Sequence, residues 1–238
     1  MRLKLISCEI AYREMSAALA RSPHQVDVEF LPKGLHDTGS QKMLARLQEA
    51  VDGVDAARHD AVLLGYGLCG TGLAGLRARD VPLVLPRAHD CITLFLGSRA
   101  RYLEYFQATP GVYFQTSGWI ERGGAGGGET QLALGLGYTF ADLVEKYGEE
   151  DARYLWEAMT PGYRQFTYIE MGLEPDDRFE RHTRDRAGER GWAFEKLRGN
   201  MRLFEALVAG DWDEDEFLVV EPGWRIVARY DDSIVGVE

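Results

Sequence analysis

The chain has 238 residues, of which 45% are hydrophobic, 27% charged and 11% aromatic. At this length folding buries about 70% of the unfolded chain's surface, so no metal or disulfide is needed merely to hold a core together. Twenty-seven Lys plus Arg against 38 Asp plus Glu give a net charge of −11, which argues against nucleic acid as the main partner, and no apolar run reaches the length of a membrane span.

The opening MRLKLISCEIAYREM carries too short an apolar stretch before Glu9 for a signal peptide. LKLISC instead has the pattern of a buried strand ending at Cys8, followed by a helix over 9–21 with Ile10, Met15 and Leu19 on its apolar face. VDVEFL alternates and ends at Pro32, a second strand. Ser40 is placed to cap a helix through about residue 52, with Met43, Leu44, Leu47 and Val51 on one side. DAVLLGYG and VPLVLP read as the third and fourth strands, with only a short helical segment between them. Asp90 stands where a helix beginning at Cys91 needs its N-cap, and Gly97-Ser98 interrupts and restarts that helix. GVYFQTSGW is a fifth strand.

The second half repeats the rhythm. FTYIEMG is a strand, 174–190 a polar helix, and WAFEKLRGN leads into the helical MRLFEALVAG, after which come the strands EFLVVEPG and WRIVARY. Strands alternating with helices predict an α/β fold, a mostly parallel sheet of Rossmann or flavodoxin type covered on both faces. A faint echo of FLPKG, helix, DAVLLGYG in FEKLRG, helix, EFLVVEPG suggests two similar lobes. The halves would then run over about 1–122 and 138–238 within one family domain, joined by a Gly-rich connection over 123–137. Its glycines at 123, 124, 126, 127 and 128 fit a flexible loop or lid, and no Lys-Ser/Thr follows to make a P-loop.

The three cysteines carry the functional expectation. Their odd number and wide spacing argue against a secreted disulfide scaffold and for a reducing cytoplasm, where thiols serve metals or catalysis. Cys8 ends the first strand, Cys69 follows the third and Cys91 follows the fourth. In an open parallel sheet all three meet at the carboxyl edge, where ligands bind. Lys33 and His36 follow the second strand to the same edge. The expected centre is zinc on Cys8, Cys69 and Cys91, with His89 as fourth ligand or an open position in its place. Glu9 and Asp90 are the candidate acid–base groups, Lys33 and Arg87 would hold an anionic part of a small-molecule substrate, and Gly67 and Gly70 would let backbone approach the ligand. A shared ion requires the strand order 2-1-3-4-5, because 3-2-1-4-5 would separate the third strand from the fourth.

Other chemistries compete for the same residues. Three thiolates also suit an iron–sulfur cluster with one iron left for substrate, and cysteine often packs simply as a small hydrophobe. Cys91 at a helix start could be a low-pKa nucleophile with His89 as its base. GYGLCG matches GxGxxG through Gly65, Gly67 and Gly70, with Asp90 about twenty residues on. Against a dinucleotide site, this is the third strand and the helix after it would be very short. DWDEDEF lacks the glycine of a calcium loop and reads as a solvated acidic turn. Trp192, Trp212 and Trp224, with Phe194 and Phe204, read as core of the second half, and His24, His59 and His182 as surface residues.

LPKGLHDTGSQKM, LLGYGLCG and PRAHDCITLFLGS, followed by TSGWIER and GDWDEDEFLVVEPG, resemble the bacterial and archaeal domain-of-unknown-function family 1638 nearly end to end. The family pattern is matched at Cys8, Glu9, Lys33, Cys69, His89, Asp90 and Cys91. The resemblance implies a context and no established reaction: similar proteins tend to be encoded beside corrinoid-dependent methyltransferases and their reactivating enzymes. It therefore points to one-carbon or methyl metabolism, as a metal-dependent transferase or lyase acting on a small molecule. The other role it implies is a non-catalytic accessory protein that handles a metal or corrinoid, with a corrinoid or methyltransferase protein as partner.

Overall fold

The computed structural model describes residues 1–122, 140–159 and 162–238. The glycine run and the whole connection expected over 123–137 lie outside these residues. The chain divides into two compact units, one made of Met1–Leu103 with Gly199–Glu238 and the other of Glu104–Arg198. The division expected at the glycine run thus falls inside the second unit, and the C-terminal forty residues return to the first.

The first unit is an α/β fold on a mostly parallel five-stranded sheet. β1 (Arg2–Cys8) is followed by a 3-10 turn over Glu9–Ala11 and α1 (Tyr12–Leu19). β2 (Gln25–Leu31) leads through a second 3-10 turn to α2 (Ser40–Asp52). Ser40 is the first helical residue of α2, and Gly39 occupies the N-cap without a side-chain bond. β3 (Ala61–Gly65) and β4 (Leu83–Pro86) are buried along their whole length, as parallel strands covered on both faces must be. α3 (Cys91–Leu96) and α4 (Arg99–Ala108) follow, separated at Gly97 as expected.

The sheet order is β2-β1-β3-β4-β8, where β8 is Phe217–Val220. The first four strands are parallel and stand in the order that a shared thiol site requires. The fifth place differs from expectation: β8 fills it, antiparallel to β4, in the register Leu83↔Val220 to Pro86↔Phe217. α9 (Arg202–Ala209) buries Leu203, Phe204, Leu207 and Val208 in the first unit and so delivers β8 to that position. β9 (Ile226–Ala228) and β10 (Val235–Val237) form a separate antiparallel pair.

β5 (Val112–Gln115) instead opens the second unit's parallel sheet, of order β5-β6-β7, with β6 at Gln165–Glu170 and β7 at Ala193–Arg198. Its helices are α5 (Ser117–Glu121), α6 (Phe140–Tyr147), α7 (Glu149–Met159) and α8 (Arg178–Arg190). Tyr113, Leu143, Ala152, Phe166 and Ala187 make its core, against which Trp192 and Phe194 pack. The echo between the halves does not mark a repeated lobe, because its copies fall in unlike places: β7 lies in the three-stranded sheet, while β8 is the antiparallel edge of the five-stranded one. Phe204, Trp212 and Trp224 likewise belong to the first unit. His59 is buried, with ring nitrogens 3.1 Å from the Asp55 carbonyl and 3.1 Å from the Asp27 carboxylate, so it is no surface residue. Among the described residues no helix is long and apolar enough to cross a membrane.

Candidate functional site

At the carboxyl edge of the five-stranded sheet the strand register brings the thiol-bearing segments side by side. Ser7 pairs with Gly65 as the last step of the β1–β3 ladder, so the next step sets Cys8 beside Tyr66. Ser7 is buried there and donates to the Gly65 carbonyl at 3.3 Å. The loops after β3 and β4 are tied to each other by backbone bonds. Leu68 N–H donates to the Ala88 carbonyl at 2.8 Å, and Cys69 N–H to the His89 carbonyl at 2.9 Å. Gly67 permits this approach: a Cβ there would lie 2.6 Å from the carbonyl carbon of Asp90. Its lack of a side chain serves loop-to-loop packing, a different use from the contact with ligand expected of it. Gly70 sits in a left-handed turn with φ 67°, flanked by Cys69 at φ 49° and Thr71 at φ 96°. Positive φ is costly for a non-glycine residue, most of all for a β-branched one, and such strain concentrates at functional sites.

Cys8 and Cys91 are 2% and 7% exposed, and Cys69 is partly exposed; none of the three forms a disulfide. Burial pushes the Cys8 thiol up to about 12, against Ile10 N–H, which favours the thiolate; Glu9 adds to the rise and Lys33 opposes it. Burial, then Asp90 and Cys8, push Cys69 up as well, although the backbone N–H groups of Gly67 and Cys91 favour its thiolate. Cys91 rises through burial and through the charges of Cys69, Asp90 and Cys8. Cys69 therefore feels Cys8, Cys91 feels both other thiols, and backbone N–H groups are directed at Cys8 and Cys69. Among the described residues, no three His, Cys, Asp or Glu side chains stand in a ready-made metal-ligating group.

The remaining expected residues are placed as follows. Asp90 caps α3, accepting from Ile92 N–H at 3.0 Å and from the Tyr102 hydroxyl at 3.0 Å. Burial raises its pKa, against the pull of those two donors. Glu9 accepts the backbone N–H of Lys33 at 2.8 Å, which ties the start of the β2 loop to the end of β1. Lys33 is buried. His89 is exposed, its ring 6.2 Å from that of Tyr102. The side chain of His36 lies outside the described residues.

Three sequence readings meet a different arrangement. Arg87 holds the C-terminal segment: its Nε donates to the Glu214 carbonyl at 2.9 Å, and its Nη1 to the carbonyls of Ser233 at 3.2 Å and Val235 at 2.6 Å. Those donors cannot at the same time hold a substrate anion. Removing them should destabilise the chain, so Arg87→Met is expected to cost about 1–3 kcal/mol in urea unfolding. Amide exchange should quicken over 233–237, and exchange unchanged there would refute the clamp. Burial raises the pKa of Cys91, where a helix start was expected to lower it. GYGLCG opens no α-helix, only a 3-10 turn over Cys69–Thr71, so it forms no dinucleotide cradle.

Sequence reasoning missed Tyr66 and Tyr102. Tyr66 is 1% exposed, and its hydroxyl has no hydrogen-bond partner among the described residues. The available signal was a residue with a polar tip directly after an entirely apolar strand.

A family model described as "Protein of unknown function (DUF1638)" matches residues 30–208, three quarters of the chain. The chain belongs to the DUF1638 family. The part of this DUF1638 protein that matches includes Lys33, Tyr66, Cys69, His89, Asp90 and Cys91, whereas Cys8 and Glu9 precede it. No curated protein and no solved structure matches the chain.

Proposed function

We propose that the carboxyl edge of the five-stranded sheet is a metal-thiolate centre in which Cys8, Cys69 and Cys91 hold one zinc ion. The observation that supports it is that three adjacent strands carry the protein's three cysteines to one edge of the sheet, where Cys69 feels the charge of Cys8 and Cys91 feels both other thiols. Three soft donors suit zinc, which keeps sulfur ionised at neutral pH, and the N–H groups of Ile10, Gly67 and Cys91 would neutralise part of the thiolate charge. Loading requires the thiols to lose their protons and turn toward a common point.

The exposed His89 ring favours a three-thiolate ion whose fourth position takes a ligand, the arrangement of a catalytic centre. Zinc bound there would act as a Lewis acid. The proposed activity is transformation or transfer of a small molecule by a transferase or lyase, in corrinoid-linked one-carbon metabolism as the family resemblance implies. Lys33 would supply positive charge beside Cys8, while Asp90 and Glu9 fix the segments on which Cys91 and Cys8 are carried. N–H groups at sulfur are also a feature of iron–sulfur sites, which makes a three-cysteine cluster the second reading.

Elemental analysis and an absorption spectrum of protein purified without oxygen separate the two. Zinc near one per chain with no visible band is the expected result. Iron, sulfide and a broad brown absorption would replace zinc by a cluster. Metal-free protein of full native stability that takes up neither would remove both. Zinc retained with His89 as a fourth protein ligand would favour the accessory role over catalysis.

A further inference from the structure

The structure assigns a second role to β2, the outermost strand of the five-stranded sheet: we infer that it joins two copies of this chain, pairing antiparallel with β2 of a second copy about a two-fold axis at Val28.

Among the described residues β2 pairs with β1 alone. Its bonding parity is set at the first step, where Gln25 N–H donates to the Met1 carbonyl at 3.1 Å. In a parallel ladder alternate residues bond the same neighbour, so Gln25, Asp27, Glu29 and Leu31 serve β1. The N–H and C=O groups of Val26, Val28 and Phe30 are directed outward, the template that an edge strand offers to another chain. Edges are commonly blunted by Lys, Pro or a bulge, and β2 has none of them in an unbroken seven-residue register. Val28 is 42% exposed and shares one face with Val26 and Phe30; Tyr12, 45% exposed, extends that face by an edge-on ring contact with Phe30 at 5.3 Å.

A second copy fits because the stripe is its own complement. A two-fold axis at Val28 sets Val28 opposite Val28 as a hydrogen-bonded pair and Val26 opposite Phe30 on either side. Backbone parity and apolar pairing therefore call for the same register. On the other face that register sets Asp27 of one copy beside Glu29 of the other, which would repel if bare. Each copy already compensates them. Glu29 lies 3.3 Å from Lys4 Nζ and 3.4 Å from Arg46 Nη2, and Asp27 lies 3.1 Å from His59 Nε2. Arg58 holds Asp27 only at 3.9 Å and its side chain is 68% exposed, so it is available to Glu29 of the opposite copy.

Sedimentation velocity and amide exchange of the full chain test this. The unsubstituted chain is expected to sediment as a dimer at high concentration and to dissociate on dilution. The N–H groups of Val26, Val28 and Phe30 should exchange slowly in the dimer and quicken as it dissociates, whereas those of Asp27 and Glu29, bonded within one copy, should not change. Val28→Pro removes only an outward N–H, which edge strands tolerate. It should weaken the dimer about tenfold or more with the far-UV circular dichroism unchanged. Should Val28→Pro not fold, Val28→Lys decides in its place, since it keeps the backbone and sets like charges opposite each other at the axis. A chain that stays monomeric at every concentration would overturn the inference, even if its edge takes up a strand of another protein. So would a dimer that keeps its affinity in the folded variant, a dimer in which Val26, Val28 and Phe30 exchange as they do in the monomer, or assemblies that grow past two copies.

Discussion

Replacing any one of Cys8, Cys69 or Cys91 by serine is expected to weaken zinc binding about a hundredfold at neutral pH. Structural zinc sites bind with about 10–16 kcal/mol over four ligands, or about 3 kcal/mol for each, and every 1.4 kcal/mol is a factor of ten. Serine keeps the size of the side chain but stays protonated, so it cannot replace a thiolate. His89→Ala should change zinc affinity little, because that ring is exposed. The pattern distinguishes mechanisms more sharply than any one value. A shared ion makes the three cysteines equivalent, whereas a nucleophile at Cys91 would leave Cys8 and Cys69 tolerant of serine. Competition against a chromophoric chelator measures it. A single cysteine whose replacement leaves zinc affinity intact would remove that sulfur from the centre. Cys8 is the most informative position, since it lies before the span that matches the family.

The positions of the first four strands were legible because each apolar run stops at a residue that breaks or turns it. Cys8 runs into Glu9, VDVEFL into Pro32, and AVLLG into the glycines of GYG. Asp90 was legible as a cap because its side chain does locally what that position demands, bonding Ile92 N–H two residues on. The destination of a strand is another matter. VYFQ and FLVV are equally good strands by composition, and nothing in either segment says that FLVV alone joins the first sheet. That choice is made by α9, whose apolar face is satisfied in the first unit. The site divides along the same line. Residue types and strand ends placed the sulfurs at one edge, but the partners of Arg87 are carbonyls more than 120 residues away, which no local pattern encodes. Tyr66 escaped notice for a related reason: its bonding state depends on everything around it.

The loop after β3 links these observations. Cys69, Gly70 and Thr71 all have positive φ, and residues 67–69 of that loop are held against 88–90 by a packed glycine and paired backbone bonds. A chain that needed only to cross from β3 to β4 could do so without strain. Left-handed backbone at Cys69 costs about 1–3 kcal/mol, and the pinned loops compensate for it by fixing where that sulfur lies. The strain and the convergence of thiols thus have one explanation, positioning.

Metal-free protein is expected to lose stability steeply above pH 9. An unfolded cysteine ionises near 9.0, whereas burial holds Cys8 at about 12 in the folded chain, with Cys69 and Cys91 shifted the same way. The folded state therefore keeps protons that the unfolded state gives up. The stabilisation is complete below pH 9 and is lost as pH rises toward 12. At about 1.4 kcal/mol for each unit of difference, Cys8 alone contributes about 4 kcal/mol across the full window, a large part of an ordinary folding free energy. Glu9 and Asp90 steepen the loss because their charge opposes thiolates, and Lys33 moderates it at Cys8. Urea unfolding midpoints measured from pH 7 to 11 should be flat to pH 9 and then fall, and Cys8→Ala should fall less steeply than the unsubstituted chain. Zinc-loaded protein should stay flat through the same range, because its sulfurs have already lost their protons to the metal. Lysines and exposed tyrosines titrate in this window too, so the comparison with Cys8→Ala carries the decision. If both proteins decline in parallel, the buried thiol is not what alkali attacks.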